Sequence, residues 1–318
     1  MIRPAKAQIM TMAQRIASKA SNTGNLGLAA AITTYLIWGF LPLYFKQLTF
    51  VPPLELIGWR IIFTLPLCLI FIRVRRQASD LAAALTTPRV MRNLCISAML
   101  IGCNWLFYVK AINGGHLLAS SMGYYICPLI NVLLGTVFLG ERLSRVQWLA
   151  VASAAIGIAV LLSGAADTLG VALSIAVSFA LYGLVRKVTP VGSVPGLTIE
   201  SGLLFLPAVA VLIWYARSPA GSVMAGGPGV GALLFGCGVL TAVPLLLFAV
   251  AARKLDLSLM GFIQFIAPTI VFLLGHFVFR EPLDTVRLTC FVMIWIAIAL
   301  FSWDMLRRSG RSGQHAPA

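Results

Sequence analysis

The chain has 318 residues, of which 60% are hydrophobic and only 10% charged, with a mean hydropathy of +0.95. A soluble domain carries about 25% charged residues, so this composition cannot cover a water-facing surface, and a soluble fold, disorder and fibrous repeats are all excluded. The formal net charge of +15 does not point to nucleic acid as a partner, because Lys and Arg form short clusters between apolar runs, where they set membrane orientation.

In chain order, the first 25 residues are basic and free of acid, with Ile9, Met12, Ala13 and Ile16 on one possible helical face. They read as a cytoplasmic tail that helps set topology, with an interfacial helix or a transit peptide as alternatives. Ten apolar runs follow, at 27–45, 54–72, 93–112, 117–139, 146–163, 168–185, 197–215, 230–251, 257–279 and 285–303. Each has about the 20 residues with which a helix crosses a bilayer. The runs are continuous rather than alternating, which excludes a β-barrel. With the N-terminus inside, the opposite side keeps only Lys46, Lys110, Arg217, Arg280 and Arg287, so the positive-inside rule places both termini in the cytoplasm.

Offsetting the chain against itself by 140 residues brings Pro128 onto Pro268, Gly135 onto Gly275 and Glu141 onto Glu281 without a gap. A weaker match pairs Trp38-Gly39 with Tyr182-Gly183, Glu55 with Glu200, and Leu65-Pro66 with Leu206-Pro207. Each half then holds five runs, and an odd number makes the second half enter the membrane from the opposite face. The expected organisation is a tail at 1–25, a first five-helix repeat at 26–163, an inverted second repeat at 164–305 and a cytoplasmic tail at 306–318. The fold class is an all-α integral membrane protein with ten transmembrane helices in two inverted five-helix repeats, an architecture typical of secondary transporters.

Polar side chains are costly in a bilayer and usually face the bundle interior or an aqueous cavity. The candidates for a substrate cavity are Tyr35, Trp38, Asn104, Trp105, Tyr108, Tyr124, Asn131, Tyr182 and Gln264. Asn104 and Tyr108 are four apart and Tyr124 and Asn131 seven apart, so each pair shares a helix face. Aromatic rings with an amide handle suit a small amphipathic or aromatic organic solute, although the same groups can simply tie helices together. Pro128 and Pro268 each remove a helical hydrogen bond and are candidates for paired hinges or for static bends. Glu55 and Glu200 are candidates for a coupling proton. Arg60, five residues from Glu55, is expected to pair with another helix or to snorkel outward. Glu141 and Glu281, beside Arg142, Arg145, Arg280 and Arg287, are expected in interfacial ion pairs, and Ser153-x-x-x-Gly157 in a close helix contact.

No chemistry of an enzyme stands out. The six cysteines show no C-x-x-C spacing and read as small core residues, His116 and His276 belong to separate helices with no motif around them, and no nucleophile-base pair, carboxylate cluster or Walker A signature is present. No catalytic residue, metal or cofactor is expected. The expected partners are a small-molecule substrate and the lipid bilayer, with the chain a monomer or a homodimer.

The tandem five-helix repeat with P-x(6)-G-x(5)-E resembles the EamA repeat of the drug/metabolite transporter superfamily. Within it, Tyr35-Leu36-Ile37-Trp38-Gly39, Gly102-Cys103-Asn104-Trp105, Ser121-Met122-Gly123-Tyr124, Gly140-Glu141-Arg142-Leu143 and Tyr182-Gly183-Leu184-Val185-Arg186-Lys187 resemble the RarD subgroup, the so-called chloramphenicol-sensitive proteins. The resemblance covers roughly residues 26 to 305. It implies a ten-helix bacterial inner-membrane permease with a central cavity, exporting small metabolites or drugs. Ala119 and Cys127 depart from the subgroup, which commonly has an acid and an Asn there, and so bear on specificity. An uncoupled facilitator and a non-transporting membrane scaffold or sensor are the alternatives.

Overall fold

The computed structural model describes residues 25–113, 117–162, 169–280 and 285–313. The expected N-terminal amphipathic face, His116, Glu281 and the side chain of Ala119 lie outside the described residues. Twelve helices and a short 3-10 turn at Val223–Gly226 make up the described architecture. The helices are α1 (Asn25–Leu48, ending in a 3-10 turn at Lys46–Leu48), α2 (Pro53–Val74), α3 (Ala78–Thr86), α4 (Pro88–Asn113), α5 (Leu117–Phe138), α6 (Arg145–Leu162), α7 (Leu169–Val188), α8 (Ser193–Arg217), α9 (Pro228–Lys254), α10 (Leu257–Gln264), α11 (Ile266–Phe277) and α12 (Thr285–Gly313). Each of the ten apolar runs falls on one of these helices, the ninth on the α10–α11 pair.

Nine stretches of the described residues are long and apolar enough to cross a bilayer, with α10 and α11 counted together as Leu257–Phe277. In α5 the apolar stretch found is the shorter Met122–Phe138. Proline begins α2, α4 and α9, at positions where its missing N–H has no helical acceptor to lose. The short α3 lies in the connection between the second and third runs, where its Ala84 joins a small apolar cluster with Val90, Leu94, Val191 and Ile199.

The packing mixes the two halves of the chain. α2 lies on α8, α6 on α12 and α5 on α10, while α4 packs on α7 and α8, and α2 on α9. The α6–α12 contact is close because Gly157 faces α12, where an added Cβ would come within 3.0 Å of the Cys290 carbonyl oxygen; Ser153 Oγ donates to the Met293 carbonyl at 2.9 Å. This is the close helix contact expected of small residues.

Contacts between helix ends define two faces of the bundle. On the first, the start of α1 (Gly27) meets the end of α9 (Lys254, Leu255), the Glu141 carboxylate reaches the start of α10, and Ser144 Oγ donates to Asp304 of α12 at 2.8 Å. Both the first described helix and the last therefore reach this face, called here the chain-end face. On the opposite face, Tyr44 near the end of α1 donates to the Leu233 carbonyl in α9 at 2.5 Å, and Lys46 lies 4.9 Å from the Phe279 ring centroid.

Candidate functional site

A cavity of about 270 Å³ lies between the halves, walled by α1, α2, α4 and α5 and by α7, α9, α10 and α11. Tyr35, Trp38, Asn104, Trp105, Tyr108, Tyr124 and Gln264 line it, together with Phe45, Arg60, Tyr125, Phe179, Thr241 and Pro268. Its walls run from the middle of the helices toward the opposite face. The lining residues fall in the later parts of α1 and α4 and the earlier parts of α2 and α5. Toward the chain-end face, Trp38, Phe179, Tyr182 and Phe248 form a floor, with ring centroids of 5.5 Å for Trp38–Phe179, 5.3 Å for Phe179–Phe248 and 5.7 Å for Tyr182–Phe248. Edge and offset contacts of this kind hold aromatic rings in place beyond their area burial.

Beneath the floor sits a buried ion pair. Arg186 at the end of α7 and Glu200 in α8 are both about 1% exposed, with Nη1 and Oε1 3.5 Å apart. Ser97 Oγ of α4 donates to the same carboxylate in a short bond, and Tyr182 Oη donates to it at 3.5 Å. Side chains of α4 and α7 thus converge on one acid of α8. A small cavity of about 10 Å³ touches Glu200 and Tyr182 and shares Ile101, Trp105 and Leu245 with the large one. Glu200 therefore lies one layer below the cavity. Gly196 faces the Arg186 guanidinium so closely that any Cβ there would overlap it. Further ties close this face, with Lys187 Nζ donating to the carbonyls of Ala252 and Leu255 and Asn93 Nδ2 to Thr189 Oγ1 at 3.3 Å.

The remaining candidates are dispersed. Tyr182 belongs to the floor and the small cavity, and Asn131 stands one layer behind the wall, donating to Gln264 Oε1 at 2.9 Å. Asn104 lines the cavity, but its Nδ2 donates to the Ile175 carbonyl at 2.8 Å and to Ser178 Oγ at 3.1 Å, so it also ties α4 to α7. Pro128 lies within the unbroken α5, its carbonyl close to Gly261 of α10. Pro268 accompanies a break at Phe265 between α10 and α11, where the Gln264 carbonyl loses its helical donor to the proline.

The two acids matched in the sequence have unlike surroundings. Glu55 lies at the opposite face, accepting from Ser222 Oγ at 2.6 Å, the Val223 amide at 3.0 Å and Trp59 Nε1 at 3.2 Å, which pins the connection between α8 and α9. Arg60 does not snorkel. It points into the cavity, donating from Nε to Thr241 Oγ1 of α9 at 2.9 Å, with its guanidinium 5.1 Å from the Trp105 ring centroid and 5.8 Å from that of Phe45.

Two expectations are corrected. Glu141 accepts from the Leu257 and Ser258 amides at 2.6 and 2.8 Å, capping α10 where an arginine pair was expected; N-terminal amides of a helix lack internal partners and attract negative charge. Among the cysteines, Cys68, Cys127, Cys237 and Cys290 are buried, but Cys95 is exposed and Cys103 half-buried, so these two are not core residues. The residues missed by sequence reasoning are Arg186 and Ser97 beneath the floor and Asp304, buried against Ser144 and paired with Arg308 at 2.9 Å. Among the described residues, no group of three His, Cys, Asp or Glu side chains is placed to hold a metal ion.

The model of the EamA-like transporter family matches residues 25–163. An "uncharacterized transporter" of Vibrio cholerae is 40% identical over 91% of this chain and 96% of its own length. "Protein RarD" of Escherichia coli is 39% identical over 91% of this chain and 97% of its own. A protein of known crystal structure superposes with a TM-score of 0.68 at 19% identity, covering 86% of this chain and 96% of that one, a likeness of fold alone.

Proposed function

We propose a secondary, alternating-access mechanism for this chain, which belongs to the RarD-type branch of the EamA-like transporter family and is a multi-pass membrane transporter. In this reading it carries a small organic solute across a bacterial inner membrane, with both termini cytoplasmic and ten membrane-spanning helices arranged as two inverted repeats. The observation that carries it is the cavity, walled by both halves and closed toward the chain-end face by an aromatic floor and side-chain bonds between helices. The helix pairings support the inversion, since an exchange of halves maps α2–α8, α6–α12 and α5–α10 onto themselves and α2–α9 onto α4–α8. A finer correspondence supports it too. Thr34 Oγ1 of α1 lies 3.4 Å from the Pro244 carbonyl in α9, and 140 to 144 residues away in each partner Asn104 meets Ser178. Two related packings of one bundle are what alternating access requires.

In the transport cycle the floor and the Arg186–Glu200–Ser97 contact separate while the opposite face closes, and the solute leaves outward. Glu200, one layer below the cavity, is the acid placed to link protonation to that opening. A second reading, an uncoupled facilitator, is favoured by one observation: among the described residues, no carboxylate lines the cavity. Counterflow into proteoliposomes from a panel of labelled organic solutes, with and without an imposed pH gradient, decides between them. Saturable flux that responds to the gradient and loses that response in Glu200→Gln is expected. Flux indifferent to the gradient selects the facilitator, and flux equal to that of empty liposomes across the panel removes both.

A further inference from the structure

The chemistry of the cavity wall says what kind of solute it takes. Among the described residues, Arg60 is the only charged side chain that lines the cavity. Its Nε is committed to Thr241 Oγ1, which itself donates to the Cys237 carbonyl at 2.8 Å, so the guanidinium is held in a fixed orientation. Its flanks are the rings of Trp105 and Phe45, which stabilise a cation without neutralising it. Both terminal amino groups lack a hydrogen-bond partner among the described residues, and none of the described carboxylates pairs with them. Glu55, Glu141, Glu200 and Asp304 are engaged elsewhere, by Ser222, the α10 amides, Arg186 and Ser144 respectively.

Arg60 is half-buried and has none of the described carboxylates beside it, so it attracts an anion into the cavity, and its fork of donors matches a carboxylate. A second polar group belongs to the same wall. Tyr35 is fully buried, lines the cavity, and its hydroxyl has no hydrogen-bond partner. The rest of the wall is largely aromatic and apolar, including Trp38, Tyr124 and Phe179. At about 270 Å³ the cavity sits just below the range of typical ligand pockets, which limits it to small molecules.

We infer that the ligand of this cavity is a small organic anion with an aromatic or apolar body, and that Arg60 receives its carboxylate. The inference rests on the transport reading above and narrows it to a substrate class. A cationic solute is disfavoured by the same arginine, and an inorganic anion would leave the aromatic wall without a partner.

The test compares phenylacetate with phenylacetamide, which share a shape and differ in charge, by calorimetric titration of the detergent-purified full chain. Phenylacetate is expected to bind roughly tenfold or more tightly than the amide, the scale of a charge-assisted hydrogen-bonded pair. Arg60→Gln is expected to bring the ratio of the two affinities close to one, and Arg60→Lys, which keeps the charge and loses the fork, to retain part of it. The comparison on the unaltered protein needs no variant, so misfolding of Arg60→Gln cannot hide the answer. Equal affinities, tighter binding of the amide, binding of inorganic phosphate in place of the organic acid, no binding of either compound at millimolar concentration, or a ratio that survives Arg60→Gln each overturns the inference. If proteoliposomes then still show saturable flux of a neutral or cationic solute, the transport reading stands and only the substrate class falls; absence of all flux removes the reading itself.

Discussion

Arg186 and Glu200 are both withdrawn from solvent, and their attraction must offset two desolvation penalties. The geometry is imperfect for that purpose, since Arg186 Nε and Nη1 make no hydrogen bond and Nη2 reaches the Ser193 carbonyl only at 3.4 Å. Removing one member leaves the other charged and unpaired, which typically costs about 3–5 kcal/mol, whereas replacing both with apolar groups is often neutral. Arg186→Met and Glu200→Leu are therefore each expected to lower the thermal midpoint in detergent sharply, and the double variant to recover most of the loss. A double variant no more stable than the worse single one would show that the pair is not what holds these residues. The acid was visible in the sequence through its match to Glu55, but its partner was not. Arg186 reads as one of several topology-setting cations, because nothing in a sequence says which of them folds back beneath a helix, and the space for it depends on Gly196, a tertiary contact. Trp38, Asn104, Trp105 and Gln264 were legible as inward-facing because a bilayer leaves few other places for polar groups. That Tyr182 and Asn131 stand one layer away from the large cavity depends on helix rotation, which periodicity alone leaves undetermined.

The P-x(6)-G-x(5)-E segment acquires a physical explanation at the scale of the element. Gly140 turns the chain after α5 at φ 67°, which brings the Glu141 carboxylate back over Gly135, where a Cβ would collide with it and lie 2.8 Å from Ser258 Oγ. From there the carboxylate caps α10, whose own N-cap residue, Asp256, makes no side-chain cap bond. Glu141→Ala removes the cap and Gly135→Ala displaces it, so both are expected to cost about 1–2 kcal/mol and to speed amide exchange at Leu257 and Ser258. Unchanged exchange at those two amides would refute the capping role. Hydropathy located these helices well, since a bilayer demands a continuous apolar run, but it misplaced ends that leave the apolar region. It stopped the last run at 303, whereas α12 continues through Arg307 and Arg308 to Gly313, as a helix end outside hydrocarbon needs no apolar surface and favours basic residues. It gave no sign of α3, which is too short to register, and the break at Phe265 was signalled not by hydropathy but by Pro268, three residues on.

For the whole molecule, the inverted repeat proposed above would mean that the two faces are not sealed by equivalent contacts at the same time. The faces differ in this structure. The chain-end face is bound by an ion pair, by the Lys187 bonds and by the Asn93–Thr189 bond, while the cavity walls extend toward the other face. Equivalent helix pairs are also unequally packed, with α2 and α9 in more extensive contact than α4 and α8, and an exchange of conformations between the halves would reverse that order. The alternating access proposed above therefore requires the chain-end contacts to part once in each cycle. Asn93 in α4 and Thr189 just after α7 are placed to test it, because their side chains touch across the seal without lining the cavity. With the exposed Cys95 replaced, Asn93→Cys with Thr189→Cys, bridged by a short bifunctional methanethiosulfonate, is expected to abolish counterflow and to regain it on reduction, while ligand binding from the opposite face persists. Counterflow that continues with the bridge fully formed would mean that solute crosses without the chain-end face opening, and the two-state exchange between the repeats would have to be abandoned.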